Sequence, residues 1–309
     1  MSILSRPKVA STVAKAMQGL TGAILERALK PHERFPEHPG RTEKLTVPTS
    51  VAPAELTIYR PESGEPLPAV HVNFHGGGYV LRGAVLDDPL CRTIVALAGV
   101  VVINVDYVVA PQHRFPALPQ QAYDVVAWVA ANGAEHGWDA SRLTIGGQSA
   151  GGALAAAAAR LALENGTPAI TLQVLHYPPL DLSVPASTKS STIAKPALKP
   201  WMGEVFDTAY VPNPADRADR LVSPAGSADT ADLTGIAPAV VLTAGQDILL
   251  AEGKRYAERL RKAGALVEYV ELEGVDHGYD TRDLERAREV YAQIAGFIKA
   301  AVKSPRTKA

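Results

Sequence analysis

The chain has 309 residues, of which 47% are hydrophobic and 20% charged, with a formal net charge of −1. A charge balance this close to neutral excludes the strongly basic surface that nucleic acids and acidic membranes require, so we expect neither as a partner. A single α/β domain of this length buries roughly 75% of the surface that its unfolded chain exposes. The lone cysteine, Cys91, cannot form an internal disulfide, which is typical of a reducing compartment.

The first part of the chain predicts a helical segment. Residues 3–30 place apolar side chains at helical spacing between Lys8, Lys15 and Glu26, which is typical of an amphipathic helix. The stretch lacks the compact apolar core and small-residue cleavage site of a signal peptide. No segment of the chain reaches the roughly 18–20 apolar residues that a membrane span needs, so we expect a cytoplasmic protein.

From residue 51 to residue 309, short runs rich in β-branched residues alternate with helical stretches. Strands are predicted at Ala69–Phe74, Val100–Asp106, Arg142–Gly146, Thr171–Tyr177, Ala239–Ala244 and Val267–Leu272. Helices are predicted at Pro89–Ala98, Leu118–Ala131, Gly151–Glu164, Glu252–Ala263 and Asp283–Val302. The apolar residues of the strands barely alternate, as in strands buried on both faces of a parallel sheet. We expect one α/β domain with helices on both faces of a mostly parallel sheet, preceded by an antiparallel hairpin at Glu55–Tyr59.

Two proline-rich regions interrupt this alternation. Residues 30–50 combine prolines with charges, and residues 178–238 place many prolines between two predicted strands. A long irregular excursion inside a compact domain is uncommon and often forms a lid or a binding loop. We therefore expect residues 178–238 to supply such a loop.

The strongest motif is Gly147-Gln148-Ser149-Ala150-Gly151, a G-x-S-x-G sequence. It follows a predicted strand and opens an alanine-rich helix, which is the setting of a nucleophile elbow. Glycine at both ends avoids clashes in the tight turn, and the helix N-terminus favours negative charge on a substrate oxygen. The alternative is an ordinary glycine-rich turn with an N-capping serine. The context favours Ser149 as a nucleophile.

A second motif, His75-Gly76-Gly77-Gly78, directly follows the first long predicted strand. Three consecutive glycines free the backbone to point N–H groups at one substrate oxygen. This is the HGGG form of an oxyanion hole, which the N–H of the residue after the nucleophile, Ala150, completes. One such donor lowers a barrier by roughly 3–4 kcal/mol. The alternative is a flexible glycine loop that His75 merely caps.

A serine nucleophile needs a base, and the base needs an orienting carboxylate. Asp247 and His277 each follow a predicted strand, so both stand at strand C-termini, where open α/β sheets assemble their sites. The chain order of Ser149, Asp247 and His277 is the order found in α/β-hydrolases. These three residues are therefore the predicted catalytic set.

The remaining carboxylates and histidines are weaker candidates. Asp276 adjoins the histidine in the chain and is poorly placed to reach its ring, and Glu252 falls on the following helix. His71 and His176 lie in predicted strands, where a hydrogen-bonded structural histidine is the commoner outcome. No histidine pairs with another histidine or cysteine at metal-ligand spacing, and no nucleotide-binding glycine motif is present. We expect neither a metal nor a cofactor.

With these motifs the chain resembles the bacterial hormone-sensitive-lipase group of carboxylesterases, which have the α/β-hydrolase fold. The resemblance extends from about residue 70 to residue 302 and includes the HGGG, SAGG and His-Gly motifs. It implies a triad of Ser149, Asp247 and His277, with oxyanion donors at Gly77, Gly78 and Ala150. It also implies a helical cap, built from residues 1–50 and from an insertion at about 185–215. Such enzymes need no cofactor and are often homodimers.

Three residues depart from the pattern of this family. Gln148 stands where an aspartate usually precedes the nucleophile, and Val108 and Gln112 stand where an arginine and a second acid are usual. Removing one partner of a buried ion pair is costly, while replacing the whole set can be neutral. Our hypothesis is that a neutral network has replaced a charged one beside the nucleophile.

The sequence therefore predicts a serine carboxylesterase that hydrolyses short- to medium-chain esters through an acyl-enzyme. One alternative is a serine amidase or peptidase on the same fold, although relatives that cleave peptides usually carry a large extra domain. The other is a non-catalytic receptor for a small molecule. Receptors of this fold often lose the histidine that this chain retains at His277.

Overall fold

The computed structural model describes residues 2–62 and 64–303, without the side chains of residues 21–26, 28, 29, 31 and 32. Within these ranges the strands are β1 Thr42–Val47, β2 Ala54–Tyr59, β3 Ala69–Phe74, β4 Val101–Asp106, β5 Asp139–Gln148, β6 Leu172–His176, β7 Ala239–Ala244 and β8 Leu266–Leu272. They form one sheet in the order β1-β2-β4-β3-β5-β6-β7-β8. β2 pairs antiparallel with β1 and β4, and the other neighbours are parallel.

Helices connect these strands and cover both faces of the sheet. They are α1 Pro7–Leu29, α2 Pro31–Arg34, α3 Asp88–Ala98, α4 Ala117–Ala131, α5 Gly133–His136, α6 Ala150–Asn165, α7 Pro200–Tyr210, α8 Leu250–Lys262 and α9 Leu284–Lys303. Short 3₁₀ turns occur at Ile3–Ser5, Ala84–Asp87, Ala186–Thr188, Pro214–Ala218 and Tyr279–Thr281. Buried side chains of α4, α6 and α8 share one apolar core, and those of α3 and α9 share the other. The predicted α/β fold is confirmed.

All six predicted long strands and the hairpin strand occur, with ends that differ by up to three residues. β5 begins at Asp139, before its apolar run, because the Asp139 N–H donates to the carbonyl of Pro68. β1 lies in the region that sequence patterning left irregular. It is an edge strand that pairs only with β2, so its first five residues are largely uncovered and carry little apolar signal.

The excursion between β6 and β7 carries α7, and α1 packs against it. Val13 and Met17 of α1 contact the apolar core. The Gln18 amide donates to the carbonyls of Val80 and Ala110, at 2.8 and 2.9 Å. The N-terminal helix therefore holds the loops that follow β3 and β4. Among the residues described, no helix has both the length and the apolar character to cross a membrane.

Candidate active site

Ser149 lies in the sharp turn between β5 and α6, with φ of 51° and ψ of −122°. This conformation is strained for a residue with a side chain and occurs where the surrounding structure enforces it. Here the enforcement is steric. A Cβ on Gly147 would lie 2.3 Å from the carbonyl oxygen of Phe74, and one on Gly151 would lie 1.8 Å from the same oxygen. Glycine at both positions lets β5 and α6 approach β3 closely enough to form the predicted elbow.

Two hydrogen bonds join the three predicted catalytic residues. Ser149 Oγ lies 2.9 Å from Nε2 of His277, and Nδ1 of the same ring lies 2.6 Å from Oδ2 of Asp247. Asp247 is buried, and its other oxygen, Oδ1, accepts the backbone N–H of Leu249. The carboxylate is therefore fixed from both sides. The structure brings together residues that are 128 and 30 positions apart in the chain.

The two alternative carboxylates, those of Asp276 and Glu252, accept hydrogen bonds from backbone N–H groups. Asp276 accepts the backbone N–H of His277 at 2.7 Å and that of Ala197 at 2.5 Å, and it does not contact the imidazole nitrogens. Glu252 accepts the backbone N–H of Leu180 at 2.8 Å from its position on α8. Both carboxylates therefore stabilise loops around the site.

Opposing influences act on the pKa of His277. Burial lowers it, because a charged ring is poorly solvated inside the protein. The Asp247 carboxylate, through its charge and its hydrogen bond, together with the charges of Asp280 and Asp276, outweighs burial and holds the pKa above its usual 6.5. The imidazole is thus more basic than an ordinary histidine side chain.

The glycine loop after β3 faces Ser149 across a cavity of about 430 Å³. Gly77 and Gly78 have φ of 125° and 60°, which side chains other than glycine rarely adopt. Among the described residues, the N–H groups of Gly77, Gly78 and Ala150 have no backbone acceptor. A Cβ on Gly76 would lie 3.8 Å from Cβ of Ser149, so the loop approaches this serine closely. This is the arrangement that the HGGG motif predicts.

His75 holds the backbone of this loop in place. Its ring is fully buried, stacks on Tyr107 at 4.2 Å and places Nδ1 2.5 Å from the carbonyl oxygen of Gly76. The Tyr107 hydroxyl donates to the carbonyl of His75 at 2.8 Å. His75 does not line the cavity that contains Ser149. Its part in the motif is to hold the backbone of the loop.

Gln148 lies in a buried network that contains two acids. The Tyr177 hydroxyl lies 2.8 Å from Gln148 Oε1 and 2.8 Å from Asp280 Oδ2. Burial raises the pKa of Asp87 to about 6, and the side chains of Asn73 and Gln148 oppose that rise. The Tyr291 hydroxyl donates to Asp280 at 2.8 Å. The hypothesis of a neutral network beside the nucleophile is therefore wrong. The charges come from Asp87 and Asp280, which the sequence did not single out because both are distant from position 148 in the chain.

Val108 and Gln112, the other two residues that depart from the family pattern, do not lie in the network around Gln148. The backbone N–H of Val108 donates to Oε1 of Gln121 at 2.7 Å. The amide of Gln112 donates to Oε1 of Gln18 at 2.8 Å. An uncharged pair therefore links α1 to the loop after β4, away from Gln148.

Further polar groups in the cavity lining come from the excursion over the site. Asp207 on α7 and Lys189 just after the Ala186–Thr188 turn both line the cavity, together with apolar Met202 and Phe206. A single sequence could not identify them, because isolated charges in irregular or helical segments usually face solvent. No group of three His, Cys, Asp or Glu side chains in the described part of the chain is arranged to hold a metal ion.

Comparison with known proteins places this site in a family. The model of the alpha/beta hydrolase fold family matches residues 71–281. Carboxylesterase NlhH of Mycobacterium tuberculosis is 36% identical over 261 residues, covering 83% of this chain and 80% of that protein. Ethyl acetate hydrolase of Pseudomonas putida is 36% identical over 228 residues, covering 72% of this chain and 70% of its own. The chain belongs to the α/β-hydrolase family.

Solved structures agree with this assignment. The esterase of the archaeon Pyrobaculum calidifontis superposes with a TM-score of 0.84 at 34% identity, covering 94% of both chains. EstE1, a thermophilic carboxylesterase cloned from a metagenomic library, gives a TM-score of 0.81 at 28% identity, covering 98% of this chain and all of its own. The predicted resemblance to the hormone-sensitive-lipase group of carboxylesterases is confirmed.

Proposed function

We propose that Ser149 is the nucleophile of this enzyme, His277 its general base and Asp247 the carboxylate that orients the base. The chain is a carboxylic ester hydrolase, as its relatives are. The observation that carries the assignment of roles is the continuous hydrogen-bond chain from Ser149 Oγ through the imidazole to the buried Asp247. Such a chain activates a serine that is otherwise a weak nucleophile.

The reaction follows from these positions. His277 takes the proton of Ser149 as the serine oxygen attacks the ester carbonyl, and Asp247 stabilises the imidazolium that forms. The N–H groups of Gly77, Gly78 and Ala150 hold the negative oxygen of the tetrahedral intermediate. His277 then protonates the leaving alcohol and an acyl-enzyme remains. Water repeats the sequence, activated by the same base, and releases the acid.

The cavity supports a substrate of short to medium chain length. Its volume of about 430 Å³ lies at the lower end of the range for small-molecule sites. Its lining near the excursion includes apolar Leu198, Met202 and Phe206. One relative is named for the hydrolysis of ethyl acetate, a short ester. A rate series on aryl esters of increasing acyl length measures this preference directly.

We propose further that residues 1–50 contribute a cap segment, that the insertion at about 185–215 completes it, and that 51–309 form the catalytic domain. The support is the packing of α1 against α7 and the position of α7 at the cavity. A cytoplasmic location, a homodimer and the absence of a nucleic-acid partner stay predictions from the sequence.

The amidase and receptor alternatives are not favoured, since the relatives are named for ester hydrolysis. We expect Ser149→Ala to lower kcat on an aryl ester by several orders of magnitude, the scale of a lost triad member. A fluorophosphonate probe should label the wild-type enzyme and not this variant. Faster turnover of a matched anilide than of the ester would reassign the enzyme as an amidase, and an unlabelled wild-type serine would reassign it as a receptor.

A further inference from the structure

The cavity contains two buried charged side chains that the proposed reaction does not use. Asp207 is 7% exposed and Lys189 has a side chain that is 6% exposed, yet both line the same cavity as Ser149. Charged side chains are seldom buried to this degree, because their desolvation is costly. Their position in the lining, rather than in the apolar core, suggests contact with a ligand.

The Lys189 ammonium is held in place and remains charged. Its Nζ donates to the carbonyl of Asp181 at 2.9 Å and lies 2.5 Å from Oε2 of Glu252. Burial acts to lower the pKa of Lys189, but the Glu252 and Asp207 carboxylates outweigh it and hold the pKa above its usual value. An ammonium group has three donors. Two have acceptors here, and the third has none among the described residues.

The Asp207 carboxylate has no such partners. Within the described ranges it accepts no hydrogen bond from a side chain and forms no ion pair, and Lys189 and Arg217 act on it only as charges at longer range. Burial raises the pKa of Asp207 to about 7. Neither of its oxygens is among the atoms that are both sealed from solvent and unpartnered, so the carboxylate opens onto the cavity. A ligand group in the cavity can therefore reach it.

Packing places Asp207 next to the glycine loop. The preceding residue, Phe206, has its ring against Gly78, because a Cβ on Gly78 would lie 2.4 Å from Cδ2 of that ring. On the same helix, a Cβ on Gly203 would lie 2.7 Å from Cβ of Ala186, in the turn that precedes Lys189. Helix α7 therefore brings the Asp207 carboxylate, the Lys189 segment and the glycine loop around one space.

We infer that Asp207 and Lys189 form a polar subsite that binds a hydroxyl group of the ester substrate. A hydroxyl accepts a hydrogen bond from the third donor of Lys189 and donates one to Asp207 with the same oxygen, which neither a carbonyl nor an alkyl group can do. If Asp207 is protonated, the hydroxyl can accept from it instead. An ammonium group on the substrate could hydrogen-bond only to Asp207, and a carboxylate group on the substrate only to Lys189. This inference rests on the proposed ester hydrolysis and specifies its substrate class as hydroxylated short-chain esters.

The test compares pairs of esters in which one methyl group is replaced by a hydroxyl. Ethyl butyrate is paired with the ethyl ester of β-hydroxypropionic acid, which places the hydroxyl on the acyl side. Propyl butyrate is paired with hydroxyethyl butyrate, which places it on the alcohol side. Each kcat/KM is divided by the rate of alkaline hydrolysis of the same ester. We expect the hydroxylated member of one pair to be preferred about tenfold or more, since hydrogen bonds to charged groups carry this much selectivity.

Two variants separate the subsite from the rest of the cap. Asp207→Leu keeps the branched shape, removes the carboxylate and should lower the preference for the hydroxyl by about tenfold. Glu204→Leu is the matched control, because Glu204 lies on the same helix but outside the cavity lining, and it should leave the ratio unchanged. The wild-type comparison requires no variant, so a poorly folded Asp207→Leu protein would not prevent the test.

Each other outcome overturns the inference in a recognisable way. Equal rates within both pairs would remove the subsite, while Ser149-dependent hydrolysis of ethyl butyrate would leave the proposed function standing. The ethyl ester of β-alanine carries an ammonium group in place of the hydroxyl. If it reacted faster than every ester of the two pairs, the subsite would be reassigned to an ammonium group. Failure of all of these esters to react would contradict the proposed function itself.

Discussion

The ring of Phe206 on α7 lies against the backbone of Gly78, at the place where any Cβ on that glycine would stand. The contact joins the excursion over the site to the loop that faces the nucleophile. Gly78 also has φ of 60°, so two independent constraints require glycine there. The position of the cap helix and the geometry of the glycine loop are therefore coupled through one aromatic ring.

Gly78→Ala tests this coupling. We expect a large loss of kcat, because the new methyl group must displace either the Phe206 ring or the loop whose N–H groups face Ser149. Gly264→Ala is the control, since Gly264 has φ of 70° but open space around it, and it should cost only about 1 kcal/mol of stability. Adding Phe206→Ala to Gly78→Ala should restore part of the rate. An unchanged kcat in Gly78→Ala alone would show that the loop does not need this contact.

Asp247→Asn separates the two carboxylates near the imidazole. We expect it to lower kcat by about 10⁴-fold, since the amide cannot hold the required tautomer of His277. Asp276→Asn should cost far less, because Asp276 accepts backbone N–H groups and does not contact the ring nitrogens. Steady-state kinetics on an aryl ester measures both. Losses of similar size would reopen the choice of the orienting acid.

The acid limb of the pH–rate profile should report the raised pKa of His277. A protonated imidazole cannot accept the serine proton, so kcat/KM should fall as pH drops through a value above 6.5. Asp280→Asn removes one of the charges that raise this pKa, and the limb should therefore move to lower pH. Glu285→Gln, on the exposed first turn of α9, is the control and should leave the limb in place. A limb that moved upward in Asp280→Asn would contradict the assigned role of that charge.

Asp207 should make stability depend on pH. Its folded pKa of about 7 lies above the ordinary 3.8, so ionisation costs the folded state free energy as pH rises between these values. Asp207→Asn removes this cost. Its Tm should exceed that of the wild type by several degrees at about pH 8, at about 3 °C per kcal/mol, and by little near pH 4. Glu204→Gln should show no such trend, and a Tm gain independent of pH would rule out ionisation as its cause.

Gln148→Asp restores the residue usual in the family but places a third carboxyl beside Asp87 and the Tyr177–Asp280 pair. It also removes the amide that favours the ionised form of Asp87. We expect a loss of about 1–3 kcal/mol of stability, the cost of an unsatisfied buried polar group. Thermal unfolding measures this against Gln293→Glu, a control at an exposed position of α9. If Gln148→Asp raised stability and activity together, the network of Tyr177, Asp280 and Asp87 would not be what favours glutamine at position 148.

The sequence was sufficient to predict that Ser149, Asp247 and His277 lie together, because each follows a strand and the C-terminal ends of parallel strands meet at one edge of the sheet. It was not sufficient for the surroundings of Gln148. Tyr177 joins Gln148 to Asp280, and Asp87 acts on the same group from a third segment, so only the folded chain brings these residues together.

The sequence did not identify Asp207 and Lys189 as cavity residues, for another reason. In Pro200–Tyr210 two acids among apolar residues are the ordinary pattern of an amphipathic helix with solvated charges. Which face of such a helix covers a cavity depends on tertiary packing, here on Phe206 against the glycine loop. The edge strand β1 was missed because its exposed residues carry no apolar alternation.

The docking of α1 against α7 has a consequence for the order in which the site is assembled. During synthesis α1 is made before α7, which follows it by about 170 residues; at about 5–20 residues per second this is a delay on the order of ten seconds. Until then α1 has no α7 to pack against. Helix α1 therefore leaves the ribosome well before it can reach its final place, and the cap over the cavity closes only after most of the sheet beneath it exists.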